Sequence, residues 1–338
     1  MKRILFSILT LCCVAGYTWS QECPPAATST TTISFRRNNP SILHGAFSVS
    51  GTKQVNFTKG NLQYNARYNS WRFAENQYTY IGDAAGNNVA TSARETQDEW
   101  IDIFGWGTSG YDNTVIDPTA VHFQPWAYVQ EKGEDVNNPY KYGPSITIMP
   151  DGGSWSESLA TQNYDWGVYN FTAGVEAGCR TLTIAEWTYM LTERLGHATS
   201  LYCFGSLFGA NGLYLFPDDW DWNDLPAPVA TAMAAISFTW VKGSVDKVFT
   251  NNVIAADASG RALWYALEDA GVVFMPASGY RTMGTYANLN ARGAYFTSTT
   301  KTNEEAYCIA FYAGTLTVTG TAHRSTELTV RLVKDVTP

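Results

Sequence analysis

The last third of the chain constrains the fold most, because a helical segment there runs directly into a series of strands. Residues 260–270 have a helical pattern that stops at Gly271, and glycine is common just past a helix C-terminus. The apolar run 272–275 follows as a strand and ends at Pro276. Residues 327–333 then alternate apolar and polar side chains, as expected of a half-buried strand. This pattern is typical of a structural framework, and nothing in it is arranged like a reaction centre.

Short strands are also predicted near the start, where alternating segments are separated by turn residues. The segments are residues 46–49, 54–57, 62–64 and 71–73. Such closely spaced turn signals are typical of a β-meander. We expect the closing strand near Val330 to pair with this opening meander, because the termini of a domain usually lie close together.

One helix can be placed from its start signal. Thr183 and Glu186 form a capping box, in which the hydroxyl and the carboxylate each accept a hydrogen bond from a backbone N–H at the helix N-terminus. The apolar residues that follow on one face are Trp187, Met190, Leu191 and Leu195. Gly196 supplies the stop, so the sequence predicts a helix over residues 184–195.

The N-terminus has the three parts of a secretory signal peptide. Lys2 and Arg3 are positive, residues 4–17 are apolar, and small residues precede Gln21 at the expected cleavage positions. We expect residues 1–20 to be removed and the protein to be exported, to the periplasm, the cell surface or the medium. Lipid attachment at one of the early cysteines is the alternative, but the residues before those cysteines do not fit a lipoprotein site.

The remainder of the chain argues against a membrane span and against nucleic acid. Residues 21–44 begin with a stretch rich in Thr, Ser, Ala and Pro and are predicted to be a flexible leader. No later segment is apolar over the roughly 20 residues that a transmembrane helix needs. Signal removal takes away two positive charges and no acids, so the net charge goes from −8 to −10. Nucleic-acid binding depends on Lys and Arg contacts to phosphate, which this charge disfavours.

A long central region is predicted to consist of loops. Residues 84–165 are mostly Gly, Asn, Asp, Ser, Pro and aromatic residues. Loops of this length are unusual unless they carry function or pack their own side chains, so we expect the partner-facing surface here. Trp100, Trp106 and Trp126 could offer ring faces to a ligand such as a glycan, or they could anchor the loops in the core.

Six segments carry motifs that are specific in combination. They are 57–64 (FTKGNLQY), 164–170 (YDWGVYN), 180–187 (RTLTIAEW), 267–281 (LEDAGVVFMPASGYR), 295–299 (YFTST) and 330–334 (VRLVK). Together they resemble the FISUMP, or major paralogous, domains, which are related to the formylglycine-generating-enzyme-like and C-type-lectin-like domains. The resemblance implies one α+β, C-type-lectin-like domain over residues 45–336. It would have a twisted antiparallel sheet, two main helices, long irregular loops, and paired first and last strands.

The sequence offers no catalytic constellation. Formylglycine-generating enzymes bind copper through cysteines near their C-terminus, whereas this end of the chain has one cysteine, Cys308. Copper–thiolate chemistry needs at least a pair of soft ligands. The four histidines form no HExxH motif and no i, i+4 pair, which argues against zinc. We therefore expect a protein that is not an enzyme and has no cofactor, apart from the calcium discussed next.

The acidic stretch after Phe216 is the one candidate metal site. Its oxygen ligands would be Asp218, Asp219, Asp221, Asn223 and Asp224, and such oxygens suit Ca²⁺. Trp220 and Trp222 stand among them and could stack on a sugar ring. Residues 222–224 are similar to the calcium-site tripeptide of sugar-binding C-type lectins, although the upstream partner loop of those lectins is missing. The alternative is a polar turn whose carboxylates pair with a nearby arginine and whose indoles pack into the domain.

The cysteines leave two alternatives open. Export permits disulfides, and Cys179 with Cys203 is the preferred pair. However, Cys203 and Cys308 lie in apolar, strand-like runs, where buried free thiols are equally expected.

These features favour an exported, non-enzymatic module for surface binding or adhesion, whose partner is a surface glycan or an envelope protein. One alternative is an enzyme on the formylglycine-generating-enzyme-like framework with a replaced active site, and another is a structural envelope or fimbria-associated subunit. An exposed groove would favour binding, a deep pocket with shifted acids would favour an enzyme, and an unpaired strand edge would favour a subunit.

Overall fold

Strands predominate in the part of the chain that the computed structural model describes. The described residues are 41–65, 70–80, 100, 102–106, 165–194, 202–220, 227, 231, 248–282, 285–302, 305–323 and 326–336. In chain order the strands are β1 (Ile42–Ser48), β2 (Gln54–Thr58), β3 (Leu62–Asn65), β4 (Ser70–Phe73), β5 (Ile103–Phe104), β6 (Cys179–Thr181), β7 (Tyr202–Leu207), β8 (Ala210–Leu215), β9 (Val253–Ile254), β10 (Val273–Pro276), β11 (Tyr280–Thr282), β12 (Thr285–Ala287), β13 (Arg292–Thr300), β14 (Glu305–Tyr312), β15 (Thr315–His323), β16 (Leu328–Thr329) and β17 (Leu332–Asp335). The described helices are α1 (Trp166–Asn170), α2 (Ile184–Thr188), which continues as a π-helical turn over Tyr189–Glu193, and α3 (Ala258–Asp269).

The strands form three larger sheets and two hairpins. One sheet has the order β1-β2-β17-β6, a second β10-β8-β7-β9, and a third β15-β14-β13-β16-β5. The separate hairpins are β3-β4 and β11-β12. Pairing is antiparallel throughout, except between β13 and β16 and between β7 and β9. The described residues therefore form a sheet-rich α+β structure.

The predicted pairing of the chain's two ends is confirmed. In β17, Val333 pairs with Phe57 of β2 on one side and with Arg180 of β6 on the other. The last strand thus lies inside its sheet, next to the second strand of the opening hairpin. The prediction that the first and last strands pair directly is wrong, because β1 lies at the edge of the sheet and pairs with β2. Strand β1 begins at Ile42, so the last residues of the segment predicted as a leader belong to the first sheet.

The closing strand is broken where one continuous strand was predicted. Leu328 and Thr329 pair in the third sheet, whereas the chain re-enters the first sheet only at Leu332. Arg331 lies at the break and is buried. Its guanidinium donates to the Lys59 carbonyl oxygen at 2.9 Å, which holds the chain out of the ladder while it changes sheets.

The two main helices start at side-chain caps. The capping box of α2 is confirmed, since Thr183 Oγ1 accepts from Glu186 N at 3.2 Å and Glu186 accepts from Thr183 N at 2.8 Å. The helical segment ends at Glu193 and includes a π-helical turn that apolar periodicity does not predict. The third helix starts at Ala258, two residues before the predicted start, because Asp257 caps it by accepting from Gly260 N at 2.7 Å.

Aromatic side chains join the elements into the core. Phe47 and Phe57 of the opening hairpin meet edge to face at 5.1 Å, and Trp187 of α2 lies 5.8 Å from Phe57. A second cluster forms around Trp166 and Phe296, which stack at 6.4 Å. The third cluster packs α3 on the second sheet through residues that include Leu263, Trp264, Tyr214 and Phe274. Among the described residues, no helix has the length and apolarity required to span a bilayer.

We predict that the terminal strand contributes strongly to stability. Leu332 is fully buried, so Leu332→Ala should lower the free energy of unfolding by about 2–5 kcal/mol. The matched control is Leu289→Ala, since Leu289 is 39% exposed and should change stability little. Urea denaturation of both variants tests this, and equal stability losses would contradict the central position of β17.

Candidate functional site

An open groove lies between α2, the β1–β2 turn and the third sheet. Its volume is about 1000 Å³. The helix side contributes Thr183, Ile184, Ala185, Glu186, Thr188, Tyr189 and Glu193, the β1–β2 turn Val49, Ser50 and Lys53, and the sheet side Lys301, Tyr307, Thr319 and Thr321. Seven of these fourteen residues carry a hydroxyl group, and two lysines balance two glutamates.

An ion-pair network fixes the helix wall. Arg180 of β6 donates to both carboxylate oxygens of Glu186, at 2.7 and 2.9 Å, and to Asp335 of β17 at 2.6 Å. Burial alone would lower the pKa of Arg180, but these carboxylates raise it overall. The network anchors the start of α2 to the terminal strand. Both oxygens of the Glu186 carboxylate already accept hydrogen bonds from Arg180 within it.

The π-helical turn forms the part of this wall that follows α2 in the chain. Tyr189 and Glu193 both lie on it and both line the groove. Thr188, just before the turn, donates its hydroxyl to the Ile184 carbonyl oxygen at 2.8 Å, and such back-bonding competes with regular helix geometry. Single π-helical turns occur frequently at functional sites, which marks this segment independently of the groove.

The sheet side of the groove is polar and preorganised. Glu305, at the start of β14, accepts from Lys301 Nζ at 2.9 Å and from the Thr321 hydroxyl at 3.2 Å. The hydrogen bond from Lys301 is the main reason that the pKa of Glu305 lies below its usual value. This contact holds the two lining residues, Lys301 and Thr321, in place beside Tyr307.

The carboxyl groups with raised pKa values lie away from the groove. Burial raises the pKa of Asp165, although its carboxylate accepts hydrogen bonds from backbone N–H groups including Thr181 N at 2.9 Å. Burial also raises the pKa of Asp269, near the end of α3. Neither residue lines the groove. Asp165 and Asp269 therefore cannot act as general acids on a ligand bound there.

The described tryptophans that were predicted as ligand platforms, Trp100, Trp106 and Trp220, do not line the groove. Trp106 is buried and donates its Nε1–H to the Thr297 carbonyl oxygen at 2.9 Å, and Trp220 is buried with its ring 5.2 Å from that of Phe216. The burial of both rings favours the alternative, in which they anchor the chain in the core. Trp100 is half-buried beneath the Arg72 guanidinium, 3.7 Å from its ring centroid. Trp126 and Trp222 lie outside the described residues.

The contacts of Asp218 favour the alternative, a polar turn whose carboxylates pair with a nearby arginine. One carboxylate oxygen accepts from Arg194 at 3.0 Å, and the other accepts from Ser48 and from Gln54 at 2.8 Å. Asp219 is exposed. Asp221, Asn223 and Asp224 lie outside the described residues, so calcium binding there stays a prediction. Within the described part of the chain, no three His, Cys, Asp or Glu side chains converge as a metal site would require.

The predicted disulfide is not formed. Cys179 and Cys203 are both buried free thiols, and so is Cys308. Cys179 belongs to the cluster around Trp166, whereas Cys203 packs with Trp264. The two thiols are separated because they serve different parts of the core as small apolar residues, and burial raises the pKa of both.

None of the groove residues was predicted as a binding residue from the sequence. The capping box at Thr183 predicted the helix that forms one wall of the groove. The residues of the other walls lie more than a hundred positions away in the sequence. Comparisons with protein-family models, with curated proteins and with solved structures found no match to this chain. The resemblance to FISUMP-type domains and the C-type-lectin-like fold therefore stay predictions.

We predict that Asp218 stabilises the fold through its ion pair with the buried Arg194. The Arg194 side chain is 1% exposed, and removing the charge of one partner from a largely buried ion pair costs about 3 kcal/mol. Asp218→Asn should therefore lower the free energy of unfolding by about that amount, whereas Asp219→Asn should leave it unchanged. Denaturation of both variants with and without Ca²⁺ tests this. If Asp218→Asn lowers the free energy of unfolding only when Ca²⁺ is present, Asp218 is a calcium ligand instead.

Proposed function

We propose that this protein is an exported, non-enzymatic surface module of the FISUMP type that binds a glycan in the groove between α2 and the third sheet. The groove carries this proposal, because it is open and half of its fourteen lining residues carry a hydroxyl group beside apolar surface. Binding would serve adhesion at the cell surface.

The chemistry of the walls suits a sugar. Tyr189 and Tyr307 combine a ring with a hydroxyl, and such amphipathic rings can cover an apolar sugar face while bonding its polar edge. Threonine hydroxyls donate and accept hydrogen bonds, as sugar hydroxyls do. The two lysines and two glutamates of the lining balance each other, which favours a neutral glycan over a strongly acidic one.

The enzyme alternative has less support. A catalytic site needs acids or bases whose pKa values are matched to the reaction. The carboxyl groups with raised pKa, Asp165 and Asp269, lie elsewhere. Glu186, which does line the groove, is held by Arg180 in two hydrogen bonds. This arrangement supports binding rather than proton transfer.

We predict that the two groove tyrosines carry the binding energy. Tyr189→Ala and Tyr307→Ala should each weaken glycan binding about tenfold, as expected for the loss of an aromatic anchor. Tyr265→Ala is the matched control, because Tyr265 is 47% exposed on α3 and lies outside the groove. The measurement is glycan-array binding of the purified protein followed by titration of the best glycan.

Two results of that array would contradict the proposal. One is the absence of any bound glycan, and the other is equal binding by all three tyrosine variants. Repeating the measurement with EDTA distinguishes binding in the groove from binding at the predicted calcium site. The groove should bind equally with and without chelator, whereas EDTA-sensitive binding would point to the acidic stretch 218–224.

We also predict export with cleavage before Gln21. The released protein should start at Gln21 by N-terminal sequencing, and Ser20→Phe should block processing because the −1 position requires a small residue. Recovery of the protein with residues 1–20 attached in the soluble cell interior would contradict export.

A further inference from the structure

One carboxylate outside the groove contacts the flanks of two of its walls. Asp218 does not line the groove, and it follows β8 in the chain between the buried side chains of Phe216 and Trp220. Its backbone N–H donates to the Ala46 carbonyl oxygen of β1 at 2.8 Å. Because the neighbouring rings are held in the core, the Asp218 carboxylate has a fixed position from which other segments can be placed.

The first wall that Asp218 holds is the β1–β2 turn. Ser48 ends β1 and Gln54 begins β2, so these two residues flank the turn residues that line the groove. The Ser48 hydroxyl and the Gln54 side-chain amide donate to the same Asp218 oxygen, Oδ2, at 2.5 and 2.8 Å. One carboxylate oxygen therefore binds both ends of the turn.

The second wall is the π-helical turn. Arg194 follows it, and the Arg194 backbone N–H donates to the Tyr189 carbonyl oxygen five residues earlier at 2.8 Å. The Arg194 guanidinium donates to the other Asp218 oxygen, Oδ1, at 3.0 Å and lies 5.2 Å from the centroid of the Phe47 ring. Tyr189 and Glu193, the first and last residues of the turn, line the groove. The ion pair therefore fixes the end of this wall.

The π-helical turn depends on support from outside the helix. Such turns are rare, and a regular α-helix is the usual geometry. Thr183 caps the start of α2 and Arg194 is held after its end, so both ends of the helical segment are fixed. Releasing Arg194 would let residues 189–193 return to α-helical hydrogen bonding, which would turn Glu193 about the helix axis. The position of Glu193 in the groove therefore depends on Asp218.

We propose that Asp218 is a positioning residue of the groove, which holds the β1–β2 turn and the π-helical turn at a fixed separation and so sets the width available to the ligand. This inference rests on the proposed function, because it gives Asp218 a role in the same groove. Walls that are already in place lose less conformational freedom when a ligand binds. Asp218 therefore raises the affinity for the ligand without contacting it.

A distance measurement without ligand tests the positioning directly. Spin labels at Thr52→Cys and Thr192→Cys report the separation of the two walls, because both residues are exposed, lie on the two turns and do not line the groove. Cys23→Ser removes the cysteine of the predicted leader. The remaining cysteines of the processed protein are buried and should not be labelled: Cys179, Cys203 and Cys308. Pulsed electron–electron double resonance then gives the distribution of distances between the labels.

Three variants separate positioning from stability. The double variant Ser48→Ala with Gln54→Ala releases the turn but keeps the ion pair of Asp218 with Arg194. The distance distribution should broaden while stability changes little, because water can replace both donors at a carboxylate that is 16% exposed. Asp218→Asn should broaden the distribution further. Leu263→Ala is the matched control, because Leu263 is buried in a different core cluster on α3. It should destabilise the fold and leave the distribution unchanged.

Glycan affinity is the second readout. The double variant and Asp218→Asn should each weaken binding of the best glycan from the array about tenfold, in titrations at a temperature where every variant is folded. Leu263→Ala should bind as tightly as the unchanged protein. If Asp218 only stabilised the fold, the double variant would bind normally, and Asp218→Asn would behave like Leu263→Ala.

Three outcomes would overturn the inference. An unchanged distance distribution in both the double variant and Asp218→Asn would show that the walls keep their separation without the carboxylate. A broadened distribution with unchanged glycan affinity would show that the width of the groove does not govern binding. Equal broadening in Leu263→Ala would show that any loss of stability has the same effect. If the array finds no glycan, the proposed function fails, and the distance measurement still decides whether Asp218 positions the two walls.

Discussion

The fold depends on the insertion of the terminal strand β17 between β2 and β6. Each flanking strand comes from a different part of the chain, and without β17 they have no hydrogen-bond partner in common. The polar anchor of this insertion is Arg331, just before the strand. Its guanidinium donates to the Lys59 carbonyl oxygen, to Asn61 and to Gln77, and burial lowers its pKa to about 10. A buried charge is tolerated only where such partners are already in place, so Arg331 selects this one arrangement of the chain's ends.

From that anchor, polar contacts reach both the core and the groove. Gln77, which accepts from Arg331, also accepts from Phe274 N at 2.8 Å and donates to Glu268 of α3 at 3.0 Å. At the other end of β17, Asp335 binds Arg180, which in turn holds the N-terminal turn of α2. The helix wall of the groove is therefore tied to the last strand. This explains how the helix wall of an open groove is held in place.

The sequence predicts the features that depend on near neighbours. The capping box of Thr183 and Glu186 lies within four residues, and the alternation of β2 follows the period of a strand, so both were predicted correctly. The break at Arg331 depends on Lys59 and Gln77, which lie more than 250 residues away, and alternation alone cannot reveal it. For the same reason the environments of Trp106 and Asp218 could not be predicted from the sequence. Their residue types suit a ligand, but their environments, Thr297 and Arg194, come from other segments.

Strand β15 carries core and groove residues on the same face, and a bulge lies between them. Leu316 and Thr321 face the same side of the sheet, because they pair with Phe311 and Tyr307 of β14. Leu316 packs on the core, whereas Thr321 lines the groove. A lysine or glutamate on this face would therefore either be costly to desolvate beside the core or lie among the hydroxyls of the groove. Packing and the groove thus both favour uncharged residues on this face of β15.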